Sequence, residues 1–190
     1  METLAHRVTS FFVKYGGATE EDRDIYEYGI MLALSTAINI FITVGVGIIA
    51  SIPLQLIIYI IPFILLRSAI GGYHAETFLG CVAASSFFVV AVVILVRCIA
   101  DSTALILTFI FSIISVGIIV LLAPVIGSNK KNDFEYIRKL KRRSITFAIV
   151  GVIIEMAFFS MNKGDFAFCI SIGMLSASVT LLPSLFMQHD

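Results

Sequence analysis

Charge is scarce in this chain. Only 14% of its 190 residues are Asp, Glu, Lys or Arg, against 59% hydrophobic, and the mean hydropathy is +1.02. Such a balance excludes a soluble globular domain, which has no use for so much apolar surface. Cysteine is sparse as well: Cys81, Cys98 and Cys169 are odd in number and irregular in spacing, which excludes a disulfide framework or a zinc site built on cysteine. The short alternating segments of a membrane barrel are missing. The first residues are charged and amphipathic, with no continuous apolar core ahead of a small-residue cleavage site, so the first spanning helix is expected to direct insertion. No internal repeat and no soluble linker appears, so residues 1–190 read as one integral membrane domain. The formal net charge is zero, and nothing in it points to nucleic acid.

What the chain does have is long apolar runs. A hydrocarbon core takes roughly 20 helical residues to cross. Six runs near that length lie at about 29–50, 52–70, 82–100, 103–126, 144–161 and 166–187. The expected fold is therefore all-α: a polytopic membrane protein of six transmembrane helices, preceded by an interfacial N-terminal segment over 1–28. In that segment Leu4, Val8, Phe11, Phe12 and Tyr15 recur at helical spacing and suit a helix lying in the membrane plane. Gly16-Gly17 should end it. Thr19 followed by Asp22 predicts a second short helix, rich in Glu20, Glu21, Asp22, Asp24 and Glu27. In the second span, Pro62 removes a backbone donor and should kink or loosen the helix.

Lysine and arginine are distributed unevenly. Six spans place both termini on one side, with Arg7, Lys14, Arg23, Arg67 and the cluster Lys130, Lys131, Arg138, Lys139, Lys141, Arg142 and Arg143. Only Arg97 and Lys163 fall on the other side. The positive-inside rule then sets both termini, and everything between the second and third spans, in the cytoplasm of a multi-pass protein.

That inter-span stretch, R-S-A-I-G-G-Y-H-A-E-T-F-L-G-C from Arg67 to Cys81, brings a histidine, a cysteine, an arginine and a glycine pair into fifteen residues. A thiolate is a nucleophile, and a neighbouring imidazole generates it. In one straight helix His74 and Cys81 would stand about 10.5 Å apart along the axis. A working pair therefore needs a bend, expected at Gly71-Gly72, with the third span starting near Thr77 as its N-cap and Cys81 in an early turn. The helix N-terminal field there favours a thiolate. Backbone N–H groups near Gly71 and Gly72 are candidate oxyanion donors, and Arg67 is a candidate further donor or a binder of a substrate carboxylate. Spacing alone leaves a plainer alternative open, with Arg67 a snorkelling anchor, His74 an interfacial histidine and Cys81 a packing residue. Cys98 and Cys169 read as packing residues.

The same fifteen residues resemble the motif of the AgrB family, the accessory gene regulator B endopeptidases of Gram-positive bacteria. The likeness extends to chain length, to six hydrophobic spans and to a basic stretch between the fourth and fifth. The resemblance implies a membrane cysteine endopeptidase without metal or organic cofactor, acting on an AgrD-type propeptide. It implies His74 as catalytic histidine, Cys81 as nucleophile, and Arg67 and Gly72 as residues needed for activity. It further implies removal of the precursor's C-terminal tail and closure of a thiolactone or lactone for quorum sensing.

The basic stretch Lys130 to Arg143 suits contact with anionic lipid. It also suits docking of an acidic precursor tail, through Lys139, Lys141, Arg142 and Arg143. Glu155, deep inside the fifth span, should face the bundle interior near a Ser, Thr or Asn partner. The competing functional class is a small transporter or channel without covalent chemistry, which accounts for the spans and Glu155 but gives Cys81 no role. The sequence is compatible with a homodimer.

Overall fold

The computed structural model describes residues 2–14, 23–70, 78–99, 101–124 and 134–182. Among these the chain is all-α, with seven helices: α1 (Glu2–Lys14), α2 (Arg23–Ile49), α3 (Pro53–Ile70), α4 (Phe78–Cys98), α5 (Asp101–Leu122), α6 (Phe134–Ser160) and α7 (Gly164–Val179). Among the described residues four stretches are long and apolar enough to cross a membrane: Gly29–Ile49, Pro53–Ile70, Thr103–Leu122 and Phe134–Ser160. Ser85–Cys98 and Gly164–Val179 are shorter apolar helices. The 16 residues of α7 reach about 24 Å at a rise of about 1.5 Å each, short of a hydrocarbon core of about 30 Å. The sixth expected span, 166–187, runs on past the described residues. Outer faces of the helices suit lipid: Ile49 is 87% exposed, Leu121 80% and Ile113 72%. A water-soluble monomer rarely presents large aliphatics in that density.

The chain divides into two compact units, Met1–Ile42 with Ala75–Phe87, and Thr43–His74 with Phe88–Asp190. In the first, α1 is tied to α2. The Arg23 guanidinium donates to Ser10 Oγ at 2.8 Å, and His6 Nδ1 lies 3.3 Å from a carboxylate oxygen of Glu27. The expected separate acidic helix is corrected here. Asp24 and Glu27 belong to α2, which continues without interruption into the first apolar run. No proline stands between Arg23 and Pro53, so nothing stops the helix once it has begun. Tyr15 to Asp22 lie outside the described residues.

The second unit is built around α7. From Ala167 to Ala177 nearly every residue of this helix is buried, and α3, α5 and α6 all pack on it. Its sequence explains this, since Ala167, Ser171, Gly173, Ser176, Ala177 and Ser178 are small and leave no charged face to present outward. Gly173 marks the tightest crossing. A Cβ there would strike the Tyr59 carbonyl oxygen and come within 2.9 Å of the Pro62 ring. Tyr59 and Ser176 share a side-chain hydrogen bond across the same α3–α7 contact. Pro62 lies inside α3, which runs on to Ile70, and its ring serves as a packing surface for α7.

Helix α6 turns Ser144, Ala148, Gly151 and Glu155 inward at spacings of four, three and four, one face of a helix. Two apolar clusters fill this unit. One gathers Leu56, Tyr59, Val92 and Phe168; the other gathers Leu66, Ile70, Ile119, Ala148, Met174 and Leu181. Tight turns join the helices near the first cluster. Ser51, at φ 56°, turns α2 into α3, and Asn162, at φ 59°, turns α6 into α7. Asparagine tolerates this left-handed conformation better than most residues. Gly47 permits the first turn, because a Cβ there would sit 2.9 Å from Pro53 Cα. Arg97 adds a bond from its guanidinium to the carbonyl of Ala50.

Candidate functional site

Helix α3 delivers Arg67 on its last turn. Leu66, Ala69 and Ile70 around it are buried, which pins that turn against the core. Arg67 itself is half-buried. Its Nη1 donates to Thr180 Oγ1 at 2.5 Å, just past the end of α7. Thr180 in turn donates its hydroxyl proton to the Ala177 carbonyl at 2.6 Å, and its backbone N–H reaches that same oxygen at 3.2 Å. The guanidinium thus stands at the C-terminal end of α7, where a helix presents unsatisfied carbonyls and a partial negative charge. Thr180 was not singled out in the sequence. A threonine at the end of an apolar run carries no local mark of a partner more than a hundred residues away.

Cys81 lies in the helical backbone of α4, whose described part begins at Phe78; its side chain lies outside the described residues. Gly71, Gly72, His74 and Thr77 lie outside them as well. The pairing of His74 with Cys81, the bend at the glycine pair and the Thr77 cap therefore have no described geometry. The other two cysteines are placed. Cys169 is fully buried in α7, and Cys98 is exposed at the last residue of α4.

The basic stretch is helical. Arg138, Lys139, Lys141, Arg142 and Arg143 lie on the first turns of α6 and are all exposed. The helix thus begins well before the expected start of the fifth span near 144. Lys, Arg, Leu and Glu are good helix formers, so the span extends ten residues beyond its apolar part. Lys130 and Lys131 lie outside the described residues. Glu135 in the first turn is the only acid in the described part of the stretch, and the Arg143 guanidinium rests over the Phe147 ring at 5.3 Å. The basic face and Arg67 belong to the same end of their unit, the end filled by the cluster around Leu66, Ala148 and Leu181.

Glu155 is buried and accepts a hydrogen bond from Ser112 Oγ at 2.7 Å, tying α6 to α5 as the sequence led us to expect. It borders an apolar cavity of about 620 Å³ between these two helices, lined by Ser112, Val116, Val152 and Met156 among others.

No curated protein and no solved structure gives a significant match to this chain. A family model described as AgrB, accessory gene regulator B, matches residues 5–181. Helices α2 to α7 and the whole Arg67–Cys81 motif fall within that match. The chain therefore belongs to the AgrB family, and with it to the machinery that processes quorum-sensing peptides at the membrane.

Proposed function

We propose that this protein is a six-span cysteine endopeptidase of the bacterial cell membrane, with both termini and the active site cytoplasmic. Its substrate is an AgrD-type propeptide. The observation that carries this reading is the family match over residues 5–181, which takes in Arg67, Gly71, Gly72, His74 and Cys81 together. The motif itself supports it, because it sets a thiol and an imidazole, the two groups a cysteine nucleophile needs, within eight residues. The uneven Lys/Arg distribution supports the orientation.

The reaction has two acyl transfers. His74 takes the thiol proton of Cys81, and the thiolate attacks the scissile carbonyl. Donors near Gly71, Gly72 and Arg67 stabilise the oxyanion. The C–N bond breaks, His74 returns the proton to the leaving amine, and the tail departs. The remaining segment is held as a thioester on Cys81. An internal thiol or hydroxyl of the precursor then attacks that thioester, giving its proton to His74 and releasing Cys81. A thiolactone or lactone results. Apolar walls at a membrane face keep water from hydrolysing the thioester first. No metal or organic cofactor takes part in this scheme.

The test is to incubate membranes containing the protein with a synthetic precursor whose internal nucleophile is replaced by alanine. A precursor-linked form of the enzyme should accumulate, should map to Cys81 by mass spectrometry, and should be removed by hydroxylamine. A tail released with no adduct at Cys81 would defeat the thioester route.

The exposed basic face of α6 is proposed to hold the acidic precursor tail. Replacing Lys139, Lys141, Arg142 and Arg143 by glutamine should raise KM for the full precursor about tenfold at low salt. The difference should shrink as salt rises, because screening weakens exposed charge pairs. A KM equal to that of the unmodified protein would reject the docking role.

A further inference from the structure

We propose that Thr180 is a positioning residue for Arg67, acting through a hydrogen-bond relay at the end of α7. This rests on the proposed role of Arg67 in binding the precursor or its oxyanion.

The donor and acceptor roles in the relay are fixed by simple counting. A threonine hydroxyl has one proton and two lone pairs. The Thr180 proton goes to the Ala177 carbonyl at 2.6 Å, so what Thr180 presents to Arg67 is a lone pair. Arg67 Nη1 meets it at 2.5 Å, a charge-assisted bond. The Ala177 carbonyl also accepts the Thr180 backbone N–H, which ties the hydroxyl to the backbone of a buried helix. Arg67 is thereby fastened at one nitrogen to a rigid support. A guanidinium is planar, with its donors in a fixed fork, so fixing one nitrogen constrains the direction of the others. Leu66, Ala69 and Ile70 beside it in the chain are buried, which fixes the helical turn that carries Arg67.

Such support matters if Arg67 contacts a reacting group. A misplacement of about 1 Å at a substrate-binding group can cost about a hundredfold in rate. A bond serving only to join α3 to α7 would affect stability and leave the reaction alone. The two roles are therefore separable by experiment.

The full-length protein, reconstituted in lipid vesicles with a synthetic precursor, is compared with Thr180→Val and Thr180→Ser. Valine keeps the branched shape and removes the hydroxyl; serine keeps the hydroxyl. Thr180→Val should lower kcat/KM for tail release at least tenfold with the melting temperature within a few degrees, and Thr180→Ser should stay within about threefold of the parent. In an Arg67→Lys background, followed over hours to read its residual rate, Thr180→Val should add less than twofold. Wild-type activity in Thr180→Val overturns the inference. So does a loss that persists in full on top of Arg67→Lys, or one that tracks the melting temperature. If Arg67→Ala is itself fully active, the fault lies in the role given to Arg67 and not in the relay. Should Thr180→Val not reach the membrane, Thr180→Ala, which carries no branch to misplace, is read in the same way.

Discussion

Replacing Cys81 by alanine should reduce tail release by about 10³-fold or more, and His74→Ala should do the same, with both variants still inserting in the membrane. The size follows from the chemistry. A nucleophile and its base act as one unit, so losing either member costs nearly as much as losing both. The double variant should accordingly be no worse than either single one. Cys98→Ala and Cys169→Ala serve as controls and should keep activity near that of the parent. Cys169 is fully buried in α7 against apolar neighbours, where no substrate carbonyl can reach it. Cys98 lies at the opposite end of α4 from Cys81. The measurement is tail release on co-expression with the precursor, followed by gel mobility or mass spectrometry, with membrane levels matched by immunoblot. Normal cutting by Cys81→Ala would remove the enzymatic reading.

Gly173→Val should be the most damaging single change to the second unit. A Cβ at this position runs into the Tyr59 carbonyl and the Pro62 ring, and backbone and a proline ring have little freedom to withdraw. Separating α3 from α7 would also stretch the Tyr59–Ser176 bond beside it. A cost of about 3 kcal/mol is expected. Two other helical glycines calibrate the result. Gly151→Ala meets only Met174, whose Sδ would lie 2.7 Å away but belongs to a flexible side chain that can move. Gly117→Ala meets nothing within 4 Å and should gain about 0.5–1 kcal/mol from helix propensity. Thermal melting of the three variants in detergent should give the order Gly117→Ala, Gly151→Ala, Gly173→Val from most to least stable. Equal melting temperatures for the first and last would show that α3 and α7 do not cross as closely as described.

The sequence made the apolar helices easy to read and their polar extensions hard. Pro53–Ile70 and Thr103–Leu122 begin within a residue of where the hydropathy puts them, because a long uncharged run has few ways to satisfy its backbone other than as a helix in lipid. Asp24 and Arg138 to Arg143 were harder. Charge in those stretches suggested separate segments, whereas the backbone simply carries on helically outside the apolar zone. Glu155 was legible because a carboxyl deep in a span must find a partner, and Ser112 is there. The packing role of Pro62 was not legible, because its ring meets Gly173, a residue with no link to it along the chain. The candidate site divides in the same way. Residue types and spacing single out His74 and Cys81 as candidates, but the Thr180 contact of Arg67 comes from tertiary packing alone.

The burial of α7 also bears on how this molecule comes into being. It follows α3, α5 and α6 in the chain, yet it is the pillar on which all three lean. Emerging from the ribosome in order, the earlier rods are made before the helix that fills the space between them. The full packing of this half can therefore close only once α7 has joined the three.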